Sequence, residues 1–141
     1  MKIVVIDGQG GGIGKALIQR LLEALPDQRI IALGANALAT SAMLRAGAQA
    51  GATGASAVIC QCRDADIILG PAGIILADAM LGEISPAIAV AVGRSPAVKI
   101  LIPSDRCKLL IAGLPRLSTD EALNDAVSKV VALVNGGAEQ A

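Results

Sequence analysis

Five glycines fall within seven positions near the start of the chain, between a short β-branched run and a pattern typical of an amphipathic helix. The run covers residues 3–6, the glycines stand within residues 8–14, and apolar residues recur at helical spacing over residues 13–25. In a strand, loop and helix of this order, bare backbone can approach an anion, and free N–H groups and the helix dipole favour negative charge there. The segment therefore predicts an α/β fold with a phosphate-binding loop.

The rest of the chain alternates between apolar strand-like runs and helical patterns, which predicts one doubly wound, Rossmann-like α/β domain over residues 1–141. We predict a mostly parallel five-stranded sheet in the order 2-1-3-4-5, with strands at residues 2–6, 29–33, 66–69, 98–102 and 108–112. The last strand is predicted to return antiparallel at the edge of the sheet, and residues 48–54 are predicted to be a loop. Further helices are predicted between Asn36 and Gly47, at residues 55–63, 73–81 and 86–92, and from a capping box of Ser118 and Glu121 to an end at Gly136 and Gly137.

The predicted strand order places the ligand crevice at one particular pair of loops. The chain reverses direction across the sheet between the first and third strands, so the crevice is expected between residues 8–14 and residues 70–73. Both loops are rich in glycine. The residues predicted to bind a nucleotide are Asp7, Gly8, Gln9, Gly10, Gly11, Gly12, Ile13, Gly14, Lys15, Asn36, Gly70, Pro71 and Gly73.

The glycine spacing narrows the class of phosphate loop. Gly8, Gly12 and Gly14 fit the G-x-x-x-G-x-G spacing seen in short-chain reductases, whereas the pattern G-x-G-x-x-G has no match in this loop. An ordinary P-loop is excluded, because Gln9 stands where its first glycine belongs and Ala16 replaces the hydroxyl that holds Mg²⁺.

The end of the second predicted strand carries an amide where dinucleotide-binding folds usually have an acidic residue. Asn36 follows Leu33, Gly34 and Ala35 there, and its side chain can donate to a ribose hydroxyl or to a 2′-phosphate. NAD, NADP and an adenine mononucleotide therefore all remain open as cofactors. The chemistry of short-chain reductases does not carry over, because a chain without tyrosine lacks their catalytic tyrosine.

Composition excludes several classes of partner. Twelve basic and twelve acidic residues give zero formal charge, and the chain has no Phe, Trp or Tyr, so neither a nucleic acid nor a membrane is expected as a partner. Because histidine is also absent, a His-containing zinc site is excluded and no metal is expected. The chain enters a strand directly after Met1 and Lys2, and an odd number of cysteines, Cys60, Cys62 and Cys107, favours a cytoplasmic protein with spectator thiols.

Acid–base chemistry would fall to carboxylates, lysine or cysteine. Asp7, at the carboxyl end of the first strand, is expected either to order a metal, ribose hydroxyl or catalytic water, or to accept hydrogen bonds from the loop's own N–H groups. Glu83 is expected either to line the crevice or to lie at the terminus of the next helix. Arg94, Arg106 and Lys108 lie near predicted loops and are interpreted as solvated cations.

Three functions remain open at this point. The first is binding of a nucleotide or dinucleotide. The second is a small NAD(P)-dependent oxidoreductase, or a transferase, whose active site is completed at a subunit interface, because the chain has no substrate domain of its own. The third is a structural homo-oligomer, a dimer or larger, suggested by the aliphatic character of residues 74–92. Whether the protein is an enzyme stays open.

Three stretches together resemble a bacterial family known as domain of unknown function 3842. They are the glycine loop, the strand end ALGAN at residues 32–36 and the segment GPAGIILADAMLGEI at residues 70–84. The resemblance runs over nearly the whole chain and implies a small cytoplasmic Rossmann-like protein. It implies no particular reaction.

Overall fold

A computed structural model describes residues 1–136, in which a parallel five-stranded sheet carries helices on both faces. The strands are β1 (Ile3–Asp7), β2 (Ile30–Gly34), β3 (Ala50–Thr53), β4 (Ile67–Pro71) and β5 (Val98–Ile102). The helices are α1 (Gly12–Ala24), α2 (Ala37–Arg45), α3 (Ala55–Cys62), α4 (Pro86–Arg94) and α5 (Thr119–Val134). Single turns of 3-10 helix follow β4 at Ala72–Ile75 and β5 at Asp105–Cys107.

Strand β1 lies at the centre of the sheet, whose order is β3-β2-β1-β4-β5. All of β1 is buried: Ile3 and Val5 belong to the core beneath α1 and α5, and Val4 and Ile6 to the core beneath α3 and α4. A central parallel strand covered on both faces needs apolar residues at every position, which explains why this run does not alternate. The α/β class and the order of the four strands β2-β1-β4-β5 are as predicted.

The helix ends follow the predicted capping chemistry. The Ser85 hydroxyl accepts a hydrogen bond from the Ile88 N–H at 3.3 Å at the start of α4. Ser118 and Glu121 form a reciprocal capping box at the start of α5, where the Glu121 N–H donates to the Ser118 hydroxyl at 3.1 Å. Gly137, predicted to help end α5, lies outside the described residues. No helix within residues 1–136 is long and apolar enough to cross a bilayer.

The prediction of a loop at residues 48–54 is wrong, because residues 50–53 form β3 at one edge of the sheet. This strand has the sequence Ala-Gly-Ala-Thr and is mostly exposed. With a single β-branched residue and no alternation of apolar and polar residues, the sequence does not predict a strand here. Its pairing with β2 supplies what its composition lacks, with Ala32 opposite Gly51. A larger residue than Gly51 would meet Leu44 of α2 at 3.0 Å.

The prediction of an antiparallel last strand at residues 108–112 is also wrong. The last strand of the sheet is β5, which pairs with β4 in parallel register, and residues 108–112 take no strand conformation. Lys108 has φ 50 and Gly113 has φ 81, both in the left-handed region, which breaks an extended run. The observed order of all five strands therefore differs from the predicted 2-1-3-4-5 at both edges of the sheet.

The helix predicted at residues 73–81 is present only as one 3-10 turn that ends at Ile75. The chain leaves the core after the buried Ile74 and returns at the buried Ile84. Between them it makes a compact loop, in which the Asp78 N–H donates to the Ile84 carbonyl at 2.7 Å. The apolar residues of this segment therefore serve a loop beside the glycine loop and not a helix.

Candidate functional site

Asp7 ties the end of β1 to the first turn of α1. Its Oδ1 accepts a hydrogen bond from the Gly8 N–H and its Oδ2 one from the Gly14 N–H, each at 2.7 Å. The carboxylate is buried, and burial raises the pKa of the Asp7 carboxyl above its ordinary value of 3.8. The N–H groups of Gly14 and Gly8 lower this pKa and the negative charge of Glu83 raises it, but the effect of burial is the largest. Both carboxylate oxygens therefore accept hydrogen bonds from the loop's own N–H groups, which is the second of the two roles predicted for Asp7.

Three glycines of the loop leave little room for a side chain. A Cβ at Gly14 would lie 2.5 Å from the Met43 sulfur, and one at Gly8 would lie 2.8 Å from another methionine sulfur. Gly11 has φ 73, and a Cβ there would lie 3.0 Å from the backbone of Ala39. Gly11 and Gly14 therefore allow α2 to pack closely against the start of α1, whereas Gly8 faces Met80 of the loop after β4.

Gly10 and Gly12 differ from the other three. Neither has a left-handed φ, and a Cβ at either position would meet no atom within 4 Å. Both are exposed, and their N–H groups donate to no acceptor within residues 1–136. The fold does not demand glycine at these two positions, so their bare backbone leaves open space in front of the loop.

Glu83 and Asn36 hold the tip of the loop at Gln9, which has φ 49. The Gln9 N–H lies 3.2 Å from both carboxylate oxygens of Glu83, and the Asn36 Nδ2 donates to the Gln9 carbonyl at 2.9 Å and to Glu83 Oε2 at 2.5 Å. The Asn36 Oδ1 also caps α2 by accepting from the Ala39 N–H at 2.8 Å. We call Gln9, Asn36 and Glu83 the clamp.

A pocket of about 730 Å³ opens beside the glycine loop. Of the predicted nucleotide-binding residues, eight line it, namely Asp7, Gly8, Gln9, Gly10, Gly11, Gly12, Ile13 and Pro71. The other five predicted residues, Gly14, Lys15, Asn36, Gly70 and Gly73, do not line it. A Cβ at Gly70 would lie 2.3 Å from the Ile6 carbonyl oxygen, so this glycine serves the close approach of β4 to β1.

The second wall of the pocket is the loop after β4. Sequence reasoning missed this wall because it assigned these residues to a helix; the lining residues are Leu76, Ala77, Asp78, Ala79, Met80 and Leu81. Asp78, Met80 and Leu81 have φ values of 66, 57 and 58, which are uncommon for residues other than glycine. Leu81 is 98% exposed, so it stands at the rim of the pocket and not in the core.

The third wall is the turn after β5, formed by Ser104, Arg106, Cys107 and Lys108. Arg106 and Lys108 are exposed cations that border the pocket, where the sequence had suggested only solvated side chains. The Cys107 sulfur packs near Gly73, where an added Cβ would lie 3.2 Å away. The pocket therefore has uncapped N–H groups on one wall and two positive side chains on another.

In the part of the chain that the structure describes, no three cysteine or carboxylate groups lie close enough together to hold a metal ion. Cys62 is buried, and burial raises the pKa of its thiol to about 11, although the nearby Lys2 and Lys99 lower it. Cys60 is exposed on the same helix, outside the pocket.

Fold and loop together define a small doubly wound α/β protein with a glycine-rich loop after its first strand. The chain belongs to the family described as a domain of unknown function, DUF3842, whose model matches residues 2–135 and so confirms the predicted family. No curated protein matches the chain in sequence.

One solved structure with a similar fold is the crystal structure of a dodecameric FMN-dependent UbiX-like decarboxylase from Escherichia coli O157:H7. The two chains are 17% identical, with a TM-score of 0.50, and the alignment covers 96% of this chain and 95% of that chain. At this identity the likeness concerns the fold alone.

Proposed function

We propose that the protein binds a nucleotide, with a phosphate group against the glycine loop after β1. The observation that carries the proposal is the bare backbone of Gly10 and Gly12, which neither packing nor backbone conformation explains. Glycine increases the conformational entropy of the unfolded chain and so lowers the stability of the fold. Two glycines that the fold does not need therefore point to a ligand that approaches the bare backbone.

The size of the pocket supports the same proposal. Ligand sites usually have volumes of about 300–1,000 Å³, and the pocket beside the loop falls within that range. It lies at the carboxyl ends of β1 and β4, where the strand order reverses and where open α/β sheets usually bind their ligands.

The charges around the loop also favour an anion. The Asp7 carboxylate is already neutralised in part by two N–H groups, and the clamp engages the Glu83 carboxylate with Gln9 and Asn36. The cations Arg106 and Lys108 border the pocket on its third wall, the turn after β5. A phosphate would therefore meet N–H dipoles and positive side chains in the same space.

The candidate nucleotides are NAD, NADP, an adenine mononucleotide and FMN, the last because the solved structure with a similar fold is that of an FMN-dependent enzyme. We propose that each be titrated into the purified protein by calorimetry, together with ATP. Binding of at least one with a Kd below about 1 mM is expected. If none binds in this range, the proposal is wrong.

Self-association is a second proposal, favoured by exposed apolar side chains. Four large ones lie within eight residues after the pocket-lining turn: Leu110, Ile111, Leu114 and Leu117. The segment at 74–92, which suggested an interface from the sequence, is divided: Leu81 and Val90 are exposed, whereas five of its aliphatic residues are buried in the core, namely Ile74, Ile84, Ile88, Ala89 and Val92. We propose that residues 110–117 contact a second copy of the chain, since water-exposed apolar clusters favour association.

A further inference from the structure

The pocket is asymmetric about the glycine loop. In dinucleotide-binding α/β folds, one nucleoside lies over the end of the second strand, where an acidic residue holds its ribose. Here none of residues 30–45 lines the pocket, and the clamp hydrogen-bonds the loop tip to Asn36, just after the end of β2. The pocket extends only the other way, past Pro71 of β4 to the turn after β5.

From this asymmetry we infer that the pocket takes a mononucleotide with a terminal phosphate monoester, and not a dinucleotide. The inference rests on the proposed function and names the class of ligand for the same site. A dinucleotide carries its phosphates in the middle and needs room for a nucleoside on each side of the loop. A mononucleotide carries its phosphate at one end and needs room on one side only.

The charges of the pocket fit the same class. A phosphate monoester carries a charge of about −1.5 to −2 at neutral pH, more than each phosphate of a dinucleotide. Arg106 and Lys108 are the two cations that line the pocket within residues 1–136, and they lie on the side that remains open. Of the two carboxylates that line it, Asp7 already accepts hydrogen bonds from the Gly8 and Gly14 N–H groups, and Asp78 lies on the exposed loop after β4. Leu76, Met80 and Leu81 offer apolar surface to the base, which has no aromatic side chain to stack on in this chain.

Two matched sets of three ligands test the inference by calorimetry on the whole chain. FMN is compared with FAD and riboflavin, and AMP with NAD and adenosine, so that the ligands of each set share one ring system. We expect the mononucleotide of at least one set to bind about tenfold or more tightly than both the dinucleotide and the nucleoside. If neither set shows this margin although at least one ligand binds, the inference is overturned while nucleotide binding stays intact.

Substitution of the cations gives a second, independent readout. The double variant Arg106→Gln with Lys108→Gln should weaken the binding of the mononucleotide about tenfold, because charge-assisted contacts to the phosphate are lost. Arg94→Gln removes one positive charge at the exposed end of α4, outside the pocket, and should leave the Kd unchanged. Equal affinities of the double variant and of Arg94→Gln contradict the inference. Absence of binding by every probe to the unmodified protein overturns the proposed function and this inference together.

Discussion

The Glu83 carboxylate accepts a hydrogen bond of 2.5 Å from the Asn36 side-chain amide and so joins the loop after β4 to the start of α2. The same two side chains hold the backbone of Gln9, which places the tip of the glycine loop between two separate elements of the fold. The clamp thus fixes the loop and closes the β2 side of the pocket at once.

A double-mutant cycle measures how strongly this pair is coupled. Asn36→Ala should lower the free energy of unfolding by about 2 kcal/mol, because it removes the cap of α2 as well as the contacts to Gln9 and Glu83. The coupling between Asn36→Ala and Glu83→Ala should be about 1 kcal/mol in urea denaturation. Ser118→Ala, which removes only the cap of α5, is the control and should cost about 1 kcal/mol without coupling to Glu83→Ala. Additive effects of Asn36→Ala and Glu83→Ala contradict the proposed coupling.

Asp7→Asn should destabilise the protein by about 1–3 kcal/mol, because the amide nitrogen that replaces one oxygen faces an N–H donor of Gly8 or Gly14. The pKa of Asp7 is raised on folding, so the folded protein binds this proton more tightly than the unfolded chain. The contribution of Asp7 to stability therefore declines as the pH rises from below 3.8 through the raised pKa, and it is constant above that pKa. Urea denaturation over this pH range should show the cost of Asp7→Asn decreasing as the pH rises. A cost that grows with pH contradicts the assignment, and Asp27→Asn, at an exposed position, controls for the loss of charge.

Alanine at Gly10 and Gly12 separates a ligand requirement from a folding requirement. Because an added Cβ meets no atom at either position, Gly10→Ala and Gly12→Ala should change the free energy of unfolding by less than about 1 kcal/mol. Both should weaken the binding of a nucleotide about tenfold or more, since the methyl group would stand where the phosphate approaches. Gly93→Ala in α4, whose added Cβ is equally free of contacts, is the matched control and should leave binding unchanged. Wild-type affinity in both loop variants would show that their bare backbone does not serve the ligand.

The sequence predicted those elements correctly whose structure depends on residues close together in the chain. The run of β1 and the caps at Ser85 and Ser118 depend on residues within a few positions of each other, and each is found as predicted. The residues at 50–53 carry no such signal, because Ala and Gly form a strand there only through pairing with β2. Residues 108–112 show the reverse case. Their apolar residues favour a strand, but no strand of the sheet pairs with them, so they form none.

The candidate site was predicted on one side only, for a related reason. The glycine loop is continuous in the sequence, whereas the clamp joins Gln9 to Asn36 and Glu83 across long separations. Asp78 and Met80, in the second wall, have left-handed conformations in a loop that the hydrogen bond from the Asp78 N–H to the Ile84 carbonyl closes. Asp, Met and Leu rarely adopt left-handed conformations, so the sequence does not predict them at these positions.

The three cysteines should react with an alkylating reagent in an order set by exposure and thiol pKa. At about pH 8, the exposed Cys60 and the half-buried Cys107 should be modified in the folded protein, whereas Cys62 should react only after unfolding. Cys62 is buried and its pKa is raised to about 11, so little thiolate forms there. A bound mononucleotide should slow the modification of Cys107, which lines the pocket, without changing that of Cys60. Peptide mass spectrometry with and without nucleotide gives both rates, and protection of Cys60 in place of Cys107 would move the site away from this pocket.

Substitution of exposed leucines tests self-association through residues 110–117. Leu110 is 96% exposed and Leu114 is 65% exposed, so Leu110→Asp and Leu114→Asp should change the stability of one chain by no more than about 0.5 kcal/mol. Both should shift the protein from oligomer to monomer in sedimentation velocity, because a charge buried at an apolar interface without a partner is costly. Leu38→Asp is the matched control, since Leu38 in α2 is also 65% exposed and lies toward the opposite edge of the sheet. A wild-type protein that sediments as a monomer contradicts the proposed contact, and loss of the oligomer with Leu38→Asp alone would place the interface at the β3 edge.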